Sequence, residues 1–359
     1  MSPEPRRPQL VSLQLLRALA AWMVVCHHYM QIVHRFQADT FLGRFFVTRG
    51  AFGVDLFFVL SGVVMVLTLD QRNTKSSEFL WRRCTRIIPA YWSATLILCL
   101  LLPVIQHRLP LASFSFGKLI TSMFFVPCPN AFTADVYPML SVGWTLNFEM
   151  VFYALISLTL AFRRSCSNSW IVLSVLTLLL LPRINAAVKI GPWASVFGDQ
   201  LIYAFPVGLL FGCAVLKLQN LRHGLCRKVL GLGFVGVVMI LTVSGEANLR
   251  QVPFSFYTGY GSFLVAGCLI LSLNCFEDVV TQLPGLRFWK HLGDTSYSTY
   301  LFHIIAIAVA MEIVGDPVSI VGELLVFLTT TSLTLLFAEI SFRVVEQRSW
   351  LAPLGHHSS

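Results

Sequence analysis

The sequence predicts an all-α, polytopic membrane bundle of about ten transmembrane helices with both termini cytoplasmic. Three observations carry that prediction. Only 12% of the 359 residues are charged and 56% are hydrophobic, whereas a soluble domain is about 25% charged. The apolar runs are continuous and near the ~20 residues that cross hydrocarbon as a helix, without the alternation of barrel strands. Most of the 26 Lys and Arg residues fall in alternate inter-helix segments, which the positive-inside rule assigns to the cytoplasm.

Taken in order, the predicted spans are 13–33, 51–69, 88–106, 141–162, 170–184, 198–216, 229–244, 257–275, 297–314 and 319–341. Residues 1–12 form a cytoplasmic N-terminus, 13–341 one membrane domain and 342–359 a cytoplasmic tail. Arg6 and Arg7 precede an apolar run as in a signal peptide, but no small-x-small cleavage site follows, so the segment is expected to be retained. The loop 106–140 is long, and its apolar stretch 116–126 is too short to span. The nine cysteines include no CxxC pair and behave as small hydrophobes rather than as metal ligands. The net charge of +9 fits loops on an anionic leaflet, not nucleic-acid binding.

The first span, LQLLRALAAWMVVCHHYMQI, holds the most unusual chemistry. Arg17 and His28 fall within roughly 20° of one another on a helix, about 16 Å apart along it. Two costly ionisable groups on one intramembrane stripe mark a site or a path. His27 points about 100° away and reads as a packing histidine. The same topology puts His28, Asp55, Glu149 and His303 in one outer-half slab, where an imidazole base could be oriented by a carboxylate. Buried ion pairing that merely fixes helix packing is the alternative for each residue. A proton-coupled transporter or flippase with a charge relay is the alternative for the set.

In FLWRRCTRIIPAYW, Arg83 and Arg86 share a helical face and Arg82 adds a third cation. Guanidinium forks suit phosphate oxygens, although a positive-inside anchor on lipid phosphates accounts for the same residues. In GVDLFFVLSG the glycines allow close helix approach. Ser61 lies in no nucleophile elbow and reads as packing or, alternatively, as a cavity-lining residue.

Together these stretches, with VGWTLNFEMVFY and GDTSYSTYLFH, resemble the acyltransferase-3 family of integral-membrane acyltransferases over nearly the whole chain. The nearest likeness is to members that acetylate exopolysaccharide or O-antigen. The resemblance implies a multi-pass protein of the bacterial inner membrane. It would transfer an acyl group, usually acetyl, from acetyl-CoA as co-substrate to a hydroxyl of a glycan or lipid-linked saccharide. It also implies that Arg17 and His28 are essential and that Arg83 and Arg86 engage the cytoplasmic donor. On this reading Arg17, Arg83 and Arg86 hold the donor, and His28 acts as base with Glu149 or Asp55. His303, Trp144, Asn147 and Ser61 then line the substrate pocket, and no metal or resident cofactor is expected.

Overall fold

A computed structural model describes residues 10–70, 74–109, 114–127, 137–162, 169–219, 221, 224–249 and 260–347. Every apolar segment expected to span contributes to a helix. In order these are α1 (Val11–Ile32), α2 (Phe41–Arg49), α3 (Phe52–Asp70), α4 (Ser76–Ile105), α5 (Phe116–Met123), α6 (Trp144–Ala161), α7 (Ser169–Val188) and α8 (Ala194–Gly198). They continue as α9 (Ala204–Gln219), α10 (Gly224–Leu249), α11 (Tyr260–Cys275), α12 (Glu277–Val280), α13 (Leu286–Asp294), α14 (Ser296–Val314) and α15 (Ile320–Ser341), followed by a π-turn at Phe342–Glu346. No strand occurs among the described residues. Among the described residues, seven helical stretches are long and apolar enough to cross a membrane: Phe52–Leu69, Ser76–Arg108, Ser141–Ala161, Ser169–Val188, Gln200–Gln219, Ser296–Val314 and Ile320–Glu346. The remaining expected spans fall on α1, α10 and α11. The apolar stretch of the long loop forms the short helix α5. The expected tails lie partly outside the described residues, at 1–9 and 348–359.

Helix burial divides the bundle into an inner and an outer set. α14 is buried on nearly every face, from Ser296 to Met311. α7 and α15 instead expose Leu176, Leu180, Leu324 and Leu328, the surface an acyl-chain solvent accepts without penalty. α1 is anchored at its start by the carboxylate of Glu277, which accepts from the backbone N–H groups of Val11 and Ser12. An anion at a helix N-terminus satisfies free donors and complements the dipole.

The glycines of the second span permit close helix approach, as the sequence suggested. A Cβ on Gly53 would lie 2.3 Å from the Ala20 carbonyl oxygen of α1. One on Gly62 would lie 2.7 Å from the Gly208 backbone of α9. Neither backbone can yield cheaply, because both sit inside packed helices. Gly62→Val is therefore expected to cost on the order of 1–3 kcal/mol through overpacking. The measurement is thermal unfolding of the detergent-solubilised chain; an unchanged midpoint would show that α3 and α9 separate without penalty.

Candidate active site

Two cavities occupy opposite ends of the same three helices. The first, about 110 Å³, is lined by Arg17 of α1, by Arg83 and Arg86 of α4, by Glu149 and Tyr153 of α6, by Tyr297 and Tyr300 of α14, and by Ser61 of α3. The second, about 690 Å³, is lined by the later residues of those elements, among them Gln31 after Arg17, Leu98 after Arg86, and Ile304 and Met311 after Tyr300. On α1 and on α14 a histidine lies between the two linings: His28 on the first, His303 on the second.

Those two histidines meet. Nε2 of His303 is 3.0 Å from Nδ1 of His28, with the ring centroids 4.9 Å apart. The backbone fixes their tautomers. Nδ1 of His303 lies 2.8 Å from the Tyr300 carbonyl oxygen. A carbonyl only accepts, so this nitrogen carries the hydrogen and, in the neutral ring, Nε2 keeps its lone pair. Nδ1 of His28 lies 3.1 Å from the Val24 carbonyl oxygen and so is also protonated, donating to Val24 and to His303. The lone pair of neutral His28 is then on Nε2. A proton arriving there would leave an imidazolium whose Nδ1–H already points at an acceptor. His303 thus takes the orienting place that the sequence reading gave to a carboxylate.

Glu149 lies elsewhere. Its Oε1 accepts from the Ser61 hydroxyl at 3.3 Å, and Arg86, Arg83 and Arg17 act on it electrostatically. The expectation that it shares a depth with His28 is corrected by the segment before α6. Met139, Leu140 and Val142 are each at most 1% exposed, so the helix starts inside the protein, and Glu149 lines the first cavity with Arg17, Arg83 and Arg86. Asp55 is turned away too: it bonds the Ser262 side chain of α11, while Val54, Phe57 and Ser61 form the cavity face of α3. Trp144 and Asn147 line neither of these cavities. The cavity stripe of α6 is Thr145, Glu149 and Tyr153 at four-residue intervals, and Asn147 lies about 200° from Thr145 around the helix. Trp144 packs edge-on against Phe148, centroids 5.7 Å apart.

The arginines separate by role. Arg83 lies over the rings of Phe79 and Tyr153, 5.7 and 5.9 Å from their centroids, contacts that hold a guanidinium in place. Arg86 is exposed and lines the mouth. Arg82 pairs outward with Glu78 one turn back and is no part of the cluster. His27 bonds the Phe46 carbonyl oxygen at 3.0 Å and fastens α2, the packing role expected of it.

Three tyrosines of the first cavity, Tyr153, Tyr297 and Tyr300, escaped the sequence reading. Tyr297 donates to the Ile87 carbonyl oxygen at 2.9 Å, joining α14 to α4. The hydroxyls of Tyr300 and Thr145 lie 2.9 Å apart, and each also reaches the Val142 carbonyl oxygen, at 2.9 and 3.1 Å. Tyr300 both lines the first cavity and meets the His303 ring at a tilt, centroids 5.9 Å apart, so it is the layer between arginines and imidazoles. Its spacing, three residues from Tyr297 and three from His303, was the available signal. Glu346, in the turn after α15, also belongs to this cluster. It accepts from Ser298 and acts electrostatically on Arg86 and Arg17.

A family model described as an acyltransferase domain matches residues 10–340. The chain belongs to the acyltransferase-3 family. It is 32% identical to the exopolysaccharide production protein ExoZ of Rhizobium meliloti (strain 1021), over 74% of this chain and 79% of that protein. It is 25% identical to the peptidoglycan O-acetyltransferase OatA of Listeria monocytogenes serovar 1/2a, over 95% of this chain but only 56% of that longer protein. Family membership makes this multi-pass protein an acyltransferase and sets aside the transporter reading of its buried charges.

Proposed function

We propose that this chain moves an acetyl group from acetyl-CoA, entering from the cytoplasm of the bacterial inner membrane, to a hydroxyl of a polysaccharide or lipid-linked glycan on the outer side. One observation carries the proposal: the His28–His303 pair lies between an arginine-lined cavity and a larger one with an apolar floor and a polar rim on the same helices. In this reading the phosphates of the donor meet Arg86 at the mouth and Arg83 within. The pantetheine arm follows α1 from Arg17 towards His28, about 16 Å away. The names of ExoZ and OatA support a glycan acceptor.

The chemistry then needs one base. Nε2 of His28 takes the proton of the acceptor hydroxyl as its oxygen attacks the thioester carbonyl carbon. The carbon–sulfur bond breaks, the imidazolium returns the proton to the departing thiolate, and the products are the ester and free CoA. At about 110 Å³ the first cavity has room for a few waters only, so the donor arm must displace Tyr300 or Phe57 to reach His28. Thiol release from acetyl-CoA by the purified chain, dependent on added polysaccharide, tests the reading. Release without any acceptor ester, or no release with any glycan, counts against it.

Glu346→Gln supplies a further prediction. Removing a carboxylate from beside Arg17 and Arg86 takes away a competitor of the donor phosphates. Donor affinity is expected to rise by a few-fold, while the Ser298 hydrogen bond retains an amide oxygen as acceptor. Titration of the donor onto wild type and variant measures it; weaker binding would mean that Glu346 holds the arginines in position instead.

A further inference from the structure

The second cavity is the larger of the two and plays no part in binding the donor. At about 690 Å³ it falls within the roughly 300–1,000 Å³ of small-molecule sites. Its floor is apolar, with Leu98, Leu140, Ile304 and Met311. Its rim is polar, with Gln31, His34, Arg35, Arg108, Ser141 and Asp316. An apolar floor suits the C–H face of a pyranose, and a rim of donors and carboxylates suits its hydroxyls.

The rim charges are nearly all engaged with one another. Arg108 pairs with Asp316 and lies 3.7 Å from Glu312. His107 reaches Glu312 at 3.3 Å, and His34 reaches Glu323 at 2.9 Å. Arg108 thus faces Glu312 and Asp316, and His34 faces Glu323, while Arg35 lies exposed at the rim. A uronate or a phosphate entering here would have to pull Arg108 from Asp316 and would meet the remaining carboxylates. A neutral sugar needs no such exchange, because a carboxylate paired with a guanidinium still accepts from hydroxyls. The buried Nε of Arg108 faces Glu312 at 3.7 Å while its Nη1 holds Asp316, so the guanidinium is occupied from two sides by carboxylates.

We infer that this cavity is the acceptor subsite and that it takes an uncharged saccharide. Arg108 and Asp316 act as one sugar-binding pair, and the acceptor hydroxyl approaches His28 across Ile32 and Ile304. This inference rests on the acyltransferase reading above, but its test does not need transfer. Binding of a neutral β-linked glucose tetrasaccharide to the purified full chain is read by saturation-transfer NMR. A tetrasaccharide carrying one glucuronate is measured beside it. The neutral probe is expected to bind at least tenfold more tightly. Asp316→Asn, and independently Met311→Trp, which fills the floor, should each weaken it tenfold or more without lowering the affinity for acetyl-CoA. Tighter binding of the acidic probe, or neutral binding indifferent to both variants, overturns the assignment. A wild type that binds the neutral sugar yet never acylates a glycan would sink the transfer chemistry and leave the saccharide site standing. Acylation with an unchanged acceptor KM in both variants would do the reverse.

Discussion

Alanine in place of His28 is expected to lower acyl transfer by about 10²–10⁴-fold, the contribution of a positioned general base, with donor affinity unchanged. The separation of effects follows from the geometry. His28 lines neither cavity and meets only the reacting end of the donor, so its loss leaves the arginine contacts to the donor phosphates in place. Its partner gives the sharper test. His303 touches His28 through Nε2 and the Tyr300 carbonyl oxygen through Nδ1, so it acts by holding the tautomer and accepting the Nδ1–H of the imidazolium. His303→Ala should therefore reduce kcat less than His28→Ala and leave the donor KM alone. His303→Gln, which restores an acceptor, should recover part of the loss. The double variant should be no worse than His28→Ala, because groups that act as a unit are not additive. Additive losses in the double variant would separate the two histidines into independent roles. Full glycan acylation by His28→Ala would remove it from the chemistry.

The residues whose spatial relation the sequence alone reveals are those whose neighbours are local. Arg17 and His28 share a stripe of one unbroken helix, and Arg83 and Arg86 lie one turn apart, so helical period alone relates them. Glu149 was misplaced because its depth depends on where α6 begins. The segment through Met139 and Leu140 looks like an ordinary helix approach to a membrane surface, and nothing local says that it is buried. Asp55 was misassigned for a rotational reason: on α3 the cavity face is set by the Gly62–Gly208 and Gly53–Ala20 contacts, which turn the carboxylate towards Ser262. The second cavity was invisible because its rim gathers His34, His107, Arg108 and Asp316 from the ends of separate helices. Such ends read only as polar punctuation until tertiary packing brings them together.

Neutralising two of the three cavity arginines, Arg83 and Arg86, one at a time should produce different failures. Arg86 is exposed at the mouth, so Arg86→Gln removes a charge-assisted contact to a donor phosphate, worth about 1.5–3 kcal/mol, or roughly 10–150-fold in affinity. Because the contact is solvent-facing, that loss should shrink as salt rises. Arg83 is different. It is wedged between Phe79 and Tyr153 and faces Glu149 inside the cavity. Arg83→Gln strips one of three cations that act on buried Glu149, alongside Arg86 and Arg17, so its cost stays below the roughly 3–5 kcal/mol of breaking a buried pair outright. The variant is expected to melt earlier as well as bind the donor poorly. Adding Glu149→Gln removes the less compensated charge, so the double variant should regain most of the lost thermal stability without regaining donor affinity. Thermal unfolding and acetyl-CoA titration on the same three preparations read the two effects separately. If Glu149→Gln restores neither stability nor binding, Arg83 is held for its packing on the two rings rather than for its charge. If it restores both, the arginine serves the fold alone, and the donor phosphates must be recognised by other groups.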